Sequence, residues 1–287
     1  MEEKNDDQAP HQKKLERKAE DAKRSKSYSD ILSAVIHEGE SMFALKNRTV
    51  FLSAIVAGLE IGFSYLLICA LYYFWEGALP DPSIYKLFSV AYPVGFIMVI
   101  LGRSALYTEQ TSILVLPVLN GQRSVWQLLR VWSDVILGNI IGGILFVFFI
   151  AYLAPKMNLF SHHVMADVGN HVMNYSNFVI FLSAITAGWL MGLLTWLVSS
   201  TENSSTRLAI IILITAIIGF GGFHHSIVGN IEVFGGLLVS DDISFLDYIR
   251  FLALSLVGNG IGGAVVVALF KYGIFQSNYP ETPSGLQ

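Results

Sequence analysis

Gly219-Phe220-Gly221-Gly222-Phe223-His224-His225-Ser226-Ile227-Val228-Gly229-Asn230 sets two histidines and four glycines in the middle of an apolar segment. An unbroken helix over 208–238 would overrun a single crossing of a bilayer, and the glycines supply a point at which to divide it into two half-helices. Interrupted backbone at membrane depth survives only where it is buried in protein or lines a cavity. Polar side chains at such a break are expected to face that cavity, so His225, with His224 beside it, reads as one half of a pore.

The rest of the composition agrees. Of 287 residues, 53% are hydrophobic and 14% charged, against ~25% charged in soluble domains. The single cysteine, Cys69, excludes a disulfide framework and a thiolate metal cluster. No phosphate-binding loop, dinucleotide glycine pattern or Ser-His-Asp arrangement marks an enzyme, and neither a cofactor nor a nucleic-acid partner is expected. Ten of the 18 lysines and arginines fall in the first fifty residues, a mixed-charge stretch without the apolar run of a secretory signal. Its first part reads as disordered or as a solvated helix. After Ser29-Asp30, the run Ile31-Leu32-Ser33-Ala34-Val35-Ile36 reads as a short amphipathic helix lying at the interface or on a neighbouring subunit.

Six apolar segments follow, at 51–74, 87–120, 125–154, 178–199, 208–238 and 246–275, the second and fifth interrupted. With the basic N-terminus in the cytoplasm, Arg123, Arg130, Arg207 and Lys271 also fall on the inner side, leaving Lys86, Lys156 and Arg250 outside. This divides the chain into a cytoplasmic charged segment and helix (1–48), a six-span channel domain (49–275) and a cytoplasmic tail (276–287).

An internal repeat fixes the architecture. Ser53-Ala54-Ile55-Val56-Ala57-Gly58 with Gly62 matches Ser183-Ala184-Ile185-Thr186-Ala187-Gly188 with Gly192. Gly138-Asn139-Ile140-Ile141-Gly142-Gly143 matches Gly258-Asn259-Gly260-Ile261-Gly262-Gly263. Small-residue packing alone produces such motifs in membranes, but two matches in the same order argue for duplication. Three spans per copy is an odd number, so the second copy is inserted upside down. Each middle span is the interrupted one: half-helices start at Thr108, after Gly102-Arg103-Ser104-Ala105-Leu106-Tyr107, and near His225-Ser226. Their N-termini meet near the midplane and favour an anion or the acceptor end of a neutral solute over a bare cation.

Six spans in an inverted three-plus-three repeat, Leu106-Tyr107-Thr108 in the second span, Gly222-Phe223-His224-His225-Ser226-Ile227 in the fifth and the paired Gly-Asn-x-x-Gly-Gly motifs together resemble the formate/nitrite transporter family, over about residues 30–275. Within it the chain is similar to the divergent YfdC-type branch of bacterial inner-membrane proteins. The resemblance implies an all-α, polytopic membrane protein with an aquaporin-like protomer. It also implies a homopentamer in the bacterial inner membrane whose N-terminal helix contacts a neighbour, and passage of small monovalent weak-acid anions or their neutral acids. Carried over by motif, His225 is the central histidine, Thr108 the loop threonine that bonds near it and Asn259 the asparagine facing it, with Asn139 its repeat mate; with His224 these are the expected substrate-pathway residues. Leu106, Tyr107, Tyr92, Phe96 and Ile218 would form the apolar constrictions. In this reading His225 protonates or hydrogen-bonds the solute, because an anion pays several kcal/mol or more to shed water and its neutral acid far less.

Some residues depart from the family pattern. His224 stands where a glutamate commonly precedes the central histidine, and an outer basic residue aligns with Val172, next to His171. Arg103, Glu60, Glu109 and Glu232 lie within spans, where a charge costs roughly 2.5–3.5 kcal/mol, so they are expected to pair or to face water as a buried network or an altered filter. His162, His163 and His171 lie near Asp167, but their spacing matches no helical ligand pair, and no metal is expected. Two rival readings fit the same residues: a neutral-solute channel for water, ammonia or undissociated acid, and a non-conducting scaffold whose N-terminus binds a cytoplasmic partner.

Overall fold

The computed structural model describes residues 26–278, and every regular element among them is helical. The charged stretch before residue 26 and most of the expected tail lie outside the described residues. Helix α1 (Tyr28–Phe43) opens on a capping box in which Ser27 and Asp30 cap each other's backbone. Its apolar face, Ile31, Leu32 and Val35, packs on Ile113, Leu116, Trp196 and Ala268 of the same chain, so that face is not left for a neighbouring subunit. An Arg123–Glu40 ion pair of 2.6 Å pins it there.

Among the described residues, six helices are long and apolar enough to cross a membrane. The first is α2 (Asn47–Trp75). The second is bent into α3 (Asp81–Ala91) and α4 (Pro93–Gly102), because Pro93 has no N–H with which to continue the ladder. After a break come the short helices α5 (Tyr107–Ile113) and α6 (Val115–Leu119), then α7 (Val125–Lys156). Helix α8 (His162–Met173) fills the following connection and α9 (Asn177–Ser199) crosses back. Helix α10 (Ser204–Gly221) ends at the second break and α11 (Ser226–Val239) leaves it. Helix α12 (Phe245–Ile261) runs through a π-helical turn at Gly262–Leu269 into α13 (Phe270–Asn278).

Lipid tails are as apolar as leucine, so membrane helices associate through close backbone contact rather than by escaping solvent. Gly58 of α2 lies against the carbonyl of Asn139 on α7, and Gly188 of α9 against that of Asn259 on α12; a Cβ at either glycine would collide with backbone. Gly138 meets Ala54 and Gly258 meets Ala184 in the same manner. The two halves of the chain thus build one helix pair twice, as an inverted repeat of three spans each. Between the pairs, the broken helices α4–α5 and α10–α11 carry their tips into a buried core.

Candidate functional site

Both breaks are closed by a residue in the left-handed region, Arg103 at φ 58° and Gly222 at φ 64°. The chain then turns inward over a serine and an asparagine. At the first break Ser53 Oγ accepts from the Ala105 amide at 3.0 Å, while the Asn139 carboxamide donates to Ala54 O and Ala105 O and accepts from the Tyr107 amide, each at 2.8 Å. At the second, Ser183 Oγ accepts from the His224 amide at 3.1 Å. Asn259 donates to Ala184 O and His224 O at 2.7 and 3.0 Å and accepts from the Ser226 amide at 2.7 Å. Backbone groups that a break in a membrane helix would orphan are satisfied by side chains of the neighbouring span.

The two tips meet through Thr108 and His225, whose Oγ1 and Nε2 lie 2.7 Å apart, both fully buried. The ring also caps α11: Nδ1 accepts from the Val228 amide at 3.3 Å. An acceptor Nδ1 fixes the neutral tautomer, with the proton on Nε2 donating to Thr108. The Thr108 hydroxyl proton is then left without an acceptor among the described residues. A second ring proton, on Nδ1, would face the Val228 N–H and add charge at a helix N-terminus. Phe96 packs its ring edge-on to the imidazole, 5.0 Å away.

A cavity of about 340 Å³ leads from the face bearing α3 and α8, termed outer, down to His225. Tyr92, Ile218, Phe251, His224 and Glu232 are among its walls, with Tyr85, Lys86 and His171 toward its mouth. His224 has no free nitrogen: Nε2 donates to Val172 O at 3.0 Å, and Nδ1 lies 2.8 Å from Ser183 Oγ, which donates to it. His171 stacks on Tyr85 with ring centroids 3.4 Å apart, and burial, aided by His224 and Lys86, lowers its pKa to about 4, so it is uncharged near neutrality. The basic residue at this mouth is Lys86, which donates to Phe220 O at 2.7 Å. The sequence comparison at Val172 missed it because it comes from a different helix.

Several expected roles are altered by this geometry. Asn139 and Asn259 have their carboxamides committed to backbone and act as clamps rather than as pathway-lining groups. Tyr107 donates to Leu256 O at 3.1 Å and packs edge-on to Trp132, holding α5 to its neighbours, while Leu106 is fully buried at the first tip. The expected network of Arg103, Glu60, Glu109 and Glu232 does not form. Arg103 is exposed, no ion pair among the described residues joins it to the glutamates, and Glu232 lies on the outer cavity, away from the other three. The reason is topological. Each break doubles back, so similar depths in sequence fall at opposite mouths. Glu60, with a buried unpartnered Oε2, lies beside Gly102, and Glu109 feels the charges of Glu38 and Arg207 at the mouth bearing α1. At the outer surface His163 meets Asp167 and Glu76, an exposed group whose third member lies too far off in sequence to be read from spacing; its His163–Glu76 contact is 2.9 Å.

Residues 29–273 match the formate/nitrite transporter family. The chain belongs to that family. Among its relatives is the inner membrane protein YfdC of Escherichia coli (strain K12), 32% identical over 238 residues, which are 82% of this chain and 74% of that protein. The formate-nitrite transporter of Plasmodium falciparum (isolate 3D7) is 24% identical, over 85% of this chain and 83% of its own length. Of solved structures, a pentameric formate channel with formate bound superposes with a TM-score of 0.69 at 22% identity, covering 80% of this chain and 97% of its own. A channel described as an FNT family ion channel superposes at 0.77 and 20% identity, covering 86% and 99%. This formate/nitrite transporter family member therefore has the family's aquaporin-like helical fold, and the solved structures it resembles are channels.

Proposed function

We propose that the protein conducts small monovalent weak acids, of the size of formate, nitrous acid or acetic acid, across the bacterial inner membrane, as anion plus proton or as the neutral acid. The observation that carries the reading is the Thr108–His225 hydrogen bond at the foot of the outer cavity. It joins two buried half-helix tips and leaves the Thr108 hydroxyl proton to meet the acceptor end of a solute. A bare anion must shed its water to enter a largely apolar cavity, and a bare cation meets helix N-termini; an undissociated acid, with a donor and an acceptor end, avoids both costs. His225 serves as a neutral hydrogen-bond donor that orients Thr108 and caps α11, a role its two occupied nitrogens support better than that of proton donor.

The same reading includes a homopentamer, by likeness to the pentameric formate channel. It has both termini in the cytoplasm, with residues 49–275 as the conducting domain and 1–48 and 276–287 on the cytoplasmic side. The test is uptake of formate, nitrite and acetate into proteoliposomes, with ammonium as control. Uptake of the acids above protein-free vesicles is expected. Ammonium uptake alone would favour a neutral-solute channel, and silence from folded protein the scaffold reading.

A further inference from the structure

We propose that Glu232, and not His225, holds the proton that a weak acid carries through the outer cavity. The inference rests on the weak-acid reading and goes beyond it by assigning the proton to a residue. Glu232 is 7% exposed and lines the cavity together with His225, yet its carboxyl makes no hydrogen bond or ion pair among the described residues. A carboxyl group withdrawn from water and left unpartnered needs a proton or a donor, and the open side of this one is the cavity. Both histidines on the cavity floor are occupied, His225 by Val228 and Thr108 and His224 by Ser183 and Val172.

Among the described residues no cation pairs with Glu232. On α2 the neighbours of Glu232 are Tyr65 and Cys69, and Tyr92 between α3 and α4 is another; none of them is a cation. On α12, Tyr248 donates to Asn230 at 2.6 Å. On α8, His171 is stacked on Tyr85 and Asp167 lies with His163 and Glu76. Glu109 of α5 belongs to the opposite mouth, and Lys86 is held by Phe220 O at the rim. Among the described residues Glu232 is thus the one carboxyl that lines the cavity.

The step is a proton transfer between two oxygens. The Glu232 carboxyl donates its O–H to a carboxylate oxygen of the solute, the proton crosses, and the neutral acid moves inward while Glu232 remains as carboxylate. Outer water then returns a proton to Glu232. A carboxylate Glu232 meeting the neutral acid gives the same complex, with one proton shared between them. No electrons move and no co-reactant is required.

The test uses the full chain in proteoliposomes, wild type against Glu232→Gln and Glu232→Asp, with radiolabelled acetate as probe. Glu232→Gln keeps the volume but cannot pass a proton, so acetate uptake should fall by at least ~10-fold at neutral outer pH and stay within ~2-fold of wild type in acid, where the solute arrives protonated. Glu232→Asp should retain the wild-type pH profile. An unchanged profile in Glu232→Gln, or a loss confined to ammonium uptake, overturns the assignment. Infrared difference spectra of the same samples give a readout independent of flux. Wild type should show a protonated-carboxyl band that shifts on adding acetate and is missing in Glu232→Gln. A band that ignores acetate, or persists in the variant, overturns it as well. Wild-type liposomes that pass no acid count against the weak-acid channel, while the band and its acetate shift still decide Glu232.

Discussion

At the break after α4, Ser53 and Asn139 hold Ala105 and Tyr107; at the break after α10, Ser183 and Asn259 hold His224 and Ser226 through the same atoms and nearly the same distances. The residue at the tip differs. Leu106 caps nothing, whereas the matching His225 caps α11 and reaches across to Thr108. The closing residue differs too, Arg103 in one and Gly222 in the other, although both adopt the left-handed conformation. Residues that make the fold are duplicated, and those that give the pathway its chemistry occur once. A two-fold scaffold with one polar tip has a direction, with an outer cavity ending on His225 and a leucine at the corresponding point of the other copy.

The largest expected effect tests the duplicated part. Asn139→Leu and Asn259→Leu each remove three hydrogen bonds and orphan buried backbone groups, so each should cost about 2–5 kcal/mol, read as loss of folded protein on heating in detergent. The two should match. A large loss in only one would mean that the copies do not share the structural load.

A smaller effect tests the closing residues. Left-handed backbone costs a non-glycine residue about 1–2 kcal/mol, so Arg103→Gly should raise stability by about 1 kcal/mol and Gly222→Ala lower it by a similar amount. If Arg103→Gly destabilises instead, the exposed guanidinium does more than close a turn.

The smallest concerns the outer mouth. Because burial lowers the pKa of His171 from its ordinary 6.5 to about 4, the unfolded chain binds a proton that the folded one excludes between those values. Stability contributed by the neutral ring is present above about pH 6.5 and is lost as pH falls toward 4. His171→Phe should flatten the pH dependence of thermal stability across that window, and an equal slope in both proteins would show that the ring is not excluded from protonation.

The duplicated features were those legible in the sequence. Ser-Ala-Ile and Gly-Asn-x-x-Gly-Gly recur because backbone contact in lipid demands small residues at fixed spacing, and the half-helix starts follow from them, α5 beginning at Tyr107 instead of Thr108 and α11 at Ser226. The unique features were harder to read. Motif resemblance puts Asn139 and Asn259 on the pathway, and a buried asparagine in a span gives no sign of which carbonyls will claim it. Glu232 was grouped with Arg103 because hydropathy assigns a depth along a helix but neither a face nor the side to which a doubled-back loop delivers it. Lys86 and Glu76 entered no motif, since each meets its partners only through another element of the fold.

The most direct measurement is stopped-flow uptake of formate, nitrite and acetate into proteoliposomes at about pH 5.5 and about pH 7.5, on either side of the histidine range, with His225→Asn beside the wild type. Asparagine cannot cap α11 and reach Thr108 at once. The account predicts acid uptake by the wild type and a fall of at least ~10-fold in the variant at both pH values, with assembly intact. Equal uptake by folded wild type and variant would contradict it, because the solute would then cross without using the Thr108–His225 junction.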